Sequence, residues 1–178
     1  MLLRAPWMSF IKGGDAKMEW EILEVGEFSR RFGKYRELFE RDTLLGDNEV
    51  GVWITAILPE AEAEAERIFC EEAGPTSDPI RFVVELRGEK IFGEADYYLE
   101  PKKIFEIVKR LVKNSNIFIC SQCGREITWG RCPICGNEQE DACAGGYCSE
   151  CPICGVSFEP FCAYCEYVKP VLEEADAE

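Results

Sequence analysis

Cysteines carry most of the chemistry that this sequence offers. Ten of its 11 cysteines lie between Cys120 and Cys165. Eight of them form pairs of the type Cys-x2-Cys, namely Cys120/Cys123, Cys132/Cys135, Cys151/Cys154 and Cys162/Cys165. Two sulfurs at this spacing can turn toward one ion, and Zn²⁺ takes four ligands in a tetrahedron at about 2.3 Å from sulfur. The spacing therefore predicts two metal sites, each built from two pairs.

The order of the pairs along the chain suggests how they combine. Neighbouring pairs are the expected partners, which gives Cys120/Cys123 with Cys132/Cys135 and Cys151/Cys154 with Cys162/Cys165. A crossed pairing, or one that uses Cys143 and Cys148, is an alternative. Iron is a second alternative, because Cys148, Cys151 and Cys154 have part of an iron–sulfur spacing. Without a metal, Cys143 and Cys148 are expected to be free thiols or an occasional disulfide.

Glycine follows three of the four pairs, at Gly124, Gly136 and Gly155, where a small residue lets the backbone turn tightly. With these turns, the segment resembles the zinc-ribbon family, and its tandem arrangement over about residues 117–168 resembles a double zinc ribbon. The resemblance implies that the eight paired cysteines bind metal and that short β-hairpins lie between the paired turns. It does not imply a function, because zinc ribbons occur in enzymes, in transcription and translation factors and in adaptors. Residues 1–116 carry no such resemblance.

The composition argues against catalysis. A site of four cysteines leaves no coordination position open to water, so its zinc is expected to be structural. The chain has no histidine to act as a base. The carboxylates between Glu60 and Glu66 resemble a helix start more than an acid/base pair, and Cys70 fits a small core residue. Enzymatic activity is therefore not expected, although a rubredoxin-like iron centre for electron transfer remains an alternative.

The net charge of the chain indicates which class of partner is favoured. The chain has a net charge of −14, of which residues 120–178 carry −8. Four thiolates around Zn²⁺ add a formal −2 at each site. Nucleic acid is disfavoured as a partner, because phosphate contacts need several basic residues. Two clusters of basic residues, one on each of two predicted helices, are interrupted by acids or lie at helix ends: Arg30, Arg31, Lys34 and Arg36, and Lys102, Lys103, Lys109, Arg110 and Lys113.

The C-terminal region is also rich in aromatic residues, which are Trp129, Tyr147, Phe158, Phe161, Tyr164 and Tyr167. Exposed aromatic side chains on a rigid scaffold favour protein contacts. The sequence thus predicts an accessory or adaptor protein that binds a protein partner. A nucleic-acid-associated factor in transcription, translation or RNA processing is the alternative.

The cysteine-poor part has the pattern of an α+β domain. Alternating or β-branched runs predict strands over 19–25, 50–58, 80–86, 91–99 and 117–119. Apolar stripes predict helices over 28–41, from Pro59 to Gly74, and from Pro101 to Asn114. From residue 50 onward the order is β-α-β-β-α-β, which is ferredoxin-like, and an extra β-α unit precedes it.

The expected domains follow from these patterns. Residues 1–17 are expected to be a disordered extension and not a signal peptide, 18–116 the α+β domain, 117–168 the double zinc ribbon and 169–178 a frayed acidic tail. No apolar run approaches the roughly 18 to 20 residues of a membrane span. A cytoplasmic location is expected, and the many glutamates without histidine are compatible with a thermophilic source.

Overall fold

The fold is described from a computed structural model, which covers residues 19–60, 66–72, 74 and 78–177. The predicted N-terminal extension lies outside the described residues. Six strands form one mixed sheet: β1 (Glu19–Leu23), β2 (Leu45–Asp47), β3 (Val52–Pro59), β4 (Arg67–Glu71), β5 (Ile80–Leu86) and β6 (Glu89–Ala95). Their order across the sheet is β1-β4-β5-β6-β3-β2. Only β1 and β4 run parallel among these neighbours.

Helices cover both faces of this sheet. On one side lie α1 (Val25–Phe32), a 3-10 turn (Gly33–Tyr35) and α2 (Arg36–Phe39), and on the other lies α3 (Pro101–Asn114). The predicted stripe is confirmed, because Phe28, Phe32 and Phe39 are buried in one core cluster. Strand residues alternate between the two cores. On β5, for example, Phe82 and Val84 face α3 while Val83 faces α1 and α2.

The α+β class is confirmed, but the helix predicted after Pro59 is wrong over the described residues. Residues 67–71 form strand β4 instead, between β1 and β5. Ile68 and Cys70 lie in the core beneath α3, and Phe69 lies in the opposite core. Three consecutive apolar residues, buried on both faces, fit a central strand better than one helix stripe. The described elements therefore do not follow the ferredoxin-like order.

The cysteine-rich part consists of short elements. These are β7 (Phe118–Ile119), β8 (Glu126–Ile127), β9 (Gly130–Arg131), β10 (Glu138–Gln139), β11 (Glu159–Pro160) and α4 (Lys169–Ala175). β7 pairs with β8, and β9 pairs with both β10 and β11. The frayed tail expected over 169–178 is a helix through Ala175. Across the part of the chain that the structure describes, no helix has the length and apolar character needed to cross a membrane.

Candidate metal centres

Three of the four cysteine pairs share one local geometry. In the first, the Cys120 N–H donates to the Arg125 carbonyl, and the Gly124 N–H donates back to the Cys120 carbonyl, both at 2.8 Å. The pairs that begin at Cys132 and Cys151 repeat both hydrogen bonds. The glycine after each pair has a left-handed φ of +67° to +73°, which a residue with a Cβ adopts at a cost. The tight turn predicted from these glycines is confirmed.

The fourth pair is built differently. Cys162 and Cys165 lie at the start of a helical segment that includes a π-helical stretch (Tyr164–Val168) and continues into α4. The Glu166 N–H donates to the Cys162 carbonyl at 3.1 Å. Residues three apart lie on one helix face, so both sulfurs point the same way without a glycine after the pair. Helical geometry therefore replaces the glycine turn here.

The eight cysteines converge in two groups of four. The first site contains Cys120, Cys123, Cys162 and Cys165, and the second site contains Cys132, Cys135, Cys151 and Cys154. Within each group, all Sγ atoms lie within 4.8 Å of one another. The expected pairing of sequence neighbours is therefore wrong. The pairing is nested, with the two middle pairs forming the second site and the two outer pairs forming the first.

Strand pairing explains the nested arrangement. Arg131 of β9 pairs with Glu138 of β10 and also with Glu159 of β11. The Phe161 N–H then donates to the Trp129 carbonyl at 3.1 Å. The chain thus leaves the first site, builds the second site and returns alongside β9. This return places the fourth pair opposite the first.

The hairpins enclose single pairs rather than joining two. β7 and β8 flank the first pair, β9 and β10 flank the second, and an isolated bridge between Glu150 and Ser157 flanks the third. The zinc-ribbon resemblance implies hairpins between the paired turns, and the structure differs in this respect. Each pairing of short strands, or the isolated bridge, therefore flanks a single cysteine turn.

In each group, hydrogen bonds from backbone N–H groups favour the ionised form of one thiol. Burial opposes ionisation of Cys120, but hydrogen bonds from the backbone of Cys123 and Gln122 outweigh it and lower the pKa. In the second site, the backbone N–H of Cys135 is the main cause that lowers the pKa of Cys132 to about 7. A thiolate is the form that binds metal.

Other thiols in the same groups resist ionisation. Burial is the main cause that raises the pKa of Cys123 to about 11. The adjacent Cys135 thiol is the main cause that raises the pKa of Cys154 to about 12. Four negative sulfurs cannot share so small a space without a cation, so the donor set fits a divalent metal ion. Each group could hold one ion.

Two arginines lie beside the first site, and the cysteine spacing gives no hint of them. Arg41, whose side chain is 10% exposed, donates a hydrogen bond to the Cys123 carbonyl. Arg125 stacks on the Tyr164 ring, with its guanidinium carbon 3.9 Å from the ring centroid. Burial, and then the neighbouring Arg125, lowers the pKa of Arg41. The positive charges of both side chains would partly neutralise the negative charge that four thiolates would place here. Only the position of Arg125, two residues after Cys123, could have signalled this role.

The first site also contacts the large sheet. A Cβ placed on Gly124 would lie 2.9 Å from the Ile57 carbonyl oxygen and 3.2 Å from the Ala56 Cβ, both on β3. Among the described residues, no heavy atom beyond the chain neighbours lies within 4 Å of the corresponding position on Gly136 or Gly155. The first turn is therefore packed against β3, whereas the turns of the second site have open space at this position.

The three cysteines outside the two groups have different environments. Cys143 and Cys148 are joined by a disulfide. Cys70 lies in the core beneath α3, and burial raises the pKa of its thiol to about 12. At neutral pH this thiol stays protonated, which supports a core residue rather than a nucleophile.

Comparison with known proteins gives no match. No family model matches this chain, and the searches of curated proteins and of solved structures found no match.

Proposed function

We propose that this chain is a zinc-binding accessory protein that presents a rigid surface to a protein partner. In this proposal each four-cysteine group binds one structural Zn²⁺. The convergence of eight cysteines into two complete groups of four carries the proposal. Four protein ligands fill a tetrahedral site, so neither ion offers a position for substrate or water. The ions then hold a region whose own apolar core is small.

The second site supplies the proposed surface. Ile134 and Ile153 occupy equivalent positions in its two turns, and their side chains are 69% and 71% exposed. Each follows an exposed proline, Pro133 or Pro152. Because the Sγ atoms of the two turns lie within 4.8 Å of one another, both turns converge on one centre. Two rigid, exposed aliphatic side chains of this kind suit an apolar pocket on another protein.

Charge favours a partner with basic residues around that pocket. Among the described residues, Glu140, Asp141, Glu150 and Glu159 make no ion pair within the chain, and all four are exposed. The second site would add a formal −2 with zinc bound. Opposite charge across an interface increases the association rate and disfavours wrong partners.

Ion pairs on several of the basic residues favour a protein partner over nucleic acid. Arg30, Arg31 and Arg36 form ion pairs with neighbouring glutamates, and Arg110 pairs with Asp47. These side chains are partly neutralised on the protein itself. A phosphate backbone would have to displace the carboxylates before it gained these contacts.

Elemental analysis tests the metal directly. The proposal expects two equivalents of zinc for each chain and no visible absorption. Iron bound by four cysteines would colour the protein, and this result would favour the rubredoxin-like alternative.

Affinity capture with matched variants tests the surface. The variant Ile134→Ser/Ile153→Ser removes the proposed contact. The variant Val171→Ser/Leu172→Ser removes two exposed aliphatic residues of α4 and serves as the control. We expect one partner, identified by mass spectrometry, to bind the wild type and the α4 variant but not the Ile134/Ile153 variant. Loss on the α4 variant alone, or equal binding to all three proteins, would contradict the assigned surface.

A further inference from the structure

Cys143 and Cys148 belong to neither four-cysteine group, yet their disulfide lies close to thiols that must stay reduced to bind metal. Cys143 is fully buried in the same small core as Cys132 and Cys151. Cys148 is half-buried at the edge of this core. The chain therefore combines an oxidised pair with eight free thiols of the two sites.

Backbone hydrogen bonds hold the two ends of the intervening loop together without help from the sulfurs. The Ser149 N–H donates to the Ala142 carbonyl at 2.7 Å, and the Cys143 N–H donates to the Thr128 carbonyl at 2.9 Å. The Cα atoms of Cys143 and Cys148 lie 4.0 Å apart. Because these bonds tie down the loop ends and not residues 144–147, breaking the disulfide keeps the two sulfurs close enough to re-form it and frees the residues between them from the cross-link.

The loop contacts the segment between α3 and β7. A Cβ on Gly146 would lie 1.8 Å from the Asn116 carbonyl oxygen, so the loop backbone packs directly on this segment. The next residue, Tyr147, has a side chain that is 73% exposed. The disulfide thus closes a loop that packs on the segment at Asn116 on one side and is exposed to solvent at Tyr147 on the other.

We propose that Cys143 and Cys148 are a reversible redox site that controls the mobility of the loop at Tyr147 while both metal sites stay intact. A glutathione thiolate attacks the more accessible Cys148 Sγ, forms a mixed disulfide and displaces Cys143 as a thiolate, which takes up a proton. A second glutathione thiolate attacks the glutathione sulfur of the mixed disulfide. This step releases the Cys148 thiolate, which is protonated, and glutathione disulfide.

The reverse reaction oxidises both thiols and reduces glutathione disulfide to two glutathione molecules. A loop of so few residues gains less stability from a disulfide than a long loop does, which favours reversibility. The eight ligand cysteines should resist thiol–disulfide exchange, because a sulfur bound to a metal ion is a weaker nucleophile than a free thiolate. The eight ligand cysteines and the Cys143/Cys148 pair should therefore respond separately to the same buffer.

The test uses the full chain loaded with zinc. The protein is equilibrated over a range of glutathione to glutathione disulfide ratios, quenched with acid, alkylated and mapped by mass spectrometry. We expect Cys143 and Cys148 to change together, while two zinc ions remain bound. Chymotryptic cleavage after Tyr147 should be at least about tenfold faster in the reduced protein, because the disulfide restricts a short loop.

The variant Cys143→Ser/Cys148→Ser is the control, and it should be cleaved at the fast rate at every ratio. The proposal is overturned if the pair never changes its oxidation state, if a ligand cysteine oxidises before it, or if wild-type cleavage after Tyr147 is independent of the buffer. The wild-type measurements decide the matter even if the control variant does not fold. The inference rests on the proposed zinc binding but not on the partner, so failure of the assigned surface would leave this test unchanged, and failure of zinc binding would appear separately in the elemental analysis.

Discussion

Glu60, which directly follows β3, joins two distant residues in a half-buried ion pair. It accepts hydrogen bonds from Lys90 and, at 2.6 Å, from the Tyr35 hydroxyl. Burial alone would raise the pKa of Glu60, but the hydrogen bonds from Lys90 and Tyr35 outweigh it and lower the pKa. Burial would likewise lower the pKa of Lys90, but the Glu60 carboxylate raises it overall. Folding therefore favours the charged form of both groups.

The variant Glu60→Gln should lower the free energy of unfolding by roughly 1 kcal/mol at pH 7. The folded-state pKa of Glu60 lies below its ordinary value of 4.5. Its contribution is thus complete above pH 4.5 and is lost as the pH falls through the folded-state pKa. Chemical denaturation of wild type and variant across this range measures the difference.

Glu40→Gln is the matched control, because Glu40 pairs with Arg36 on an exposed helix surface. It should cost only a few tenths of a kcal/mol. Equal losses for the two variants at pH 7, or a Glu60→Gln deficit that does not shrink as the pH falls below 4.5, would show that the half-buried pair does not stabilise the fold in this way.

The cysteine turns differ in what surrounds them, although their backbones are alike. Gly124 and Gly136 have φ values of +70° and +73°. Only Gly124 is packed against another element, at Ile57 and Ala56 of β3. A comparison of these two glycines therefore separates the strain of the turn from its contact with the large sheet.

The variant Gly136→Ala should cost about 1 kcal/mol, because alanine resists a left-handed conformation. The variant Gly124→Ala should cost about 1–3 kcal/mol more, because the new methyl group overlaps β3. Thermal unfolding of the zinc-loaded proteins measures both. Equal destabilisation would mean that the first site does not pack on β3 as described.

The sequence predicts local geometry better than long-range pairing. The glycine turns and the stripe on α1 and α2 follow from short spacings. Over the described residues 66–72, the helix predicted after Pro59 is wrong because burial on both faces of β4 outweighs the glutamate-rich start of the sequence. The pairing of the cysteines depends on β11 returning to β9, and two-residue strands leave no readable pattern in the sequence. The roles of Arg41 and Arg125 depend on the same long-range packing.

The whole molecule has cores of very unequal size. Two large clusters cover the faces of the six-stranded sheet. The third cluster has only five buried residues, and three of them are cysteines. A structural zinc site can contribute about 10 kcal/mol to folding, which is more than so small a core can supply.

Metal removal should therefore unfold the chain from about residue 117 onward and leave the large sheet folded. Limited proteolysis with and without a chelator, mapped by mass spectrometry, tests this expectation alongside circular dichroism. Apart from the redox-dependent cut after Tyr147, cuts beyond residue 117 should appear only when the metal is removed. Two results would contradict this division: a C-terminal region that resists protease without metal, or a six-stranded sheet that unfolds together with the C-terminal region when the metal is removed.

The nested pairing of the cysteines is the central claim, and two double variants test it through the number of tightly bound zinc ions. Cys123→Ser/Cys162→Ser damages only the first site if the pairing is nested, whereas Cys123→Ser/Cys132→Ser damages both sites. Native mass spectrometry after exposure to a competing chelator should find one zinc in the first variant and none in the second. The opposite result, none in the first and one in the second, would show that neighbouring pairs share each ion.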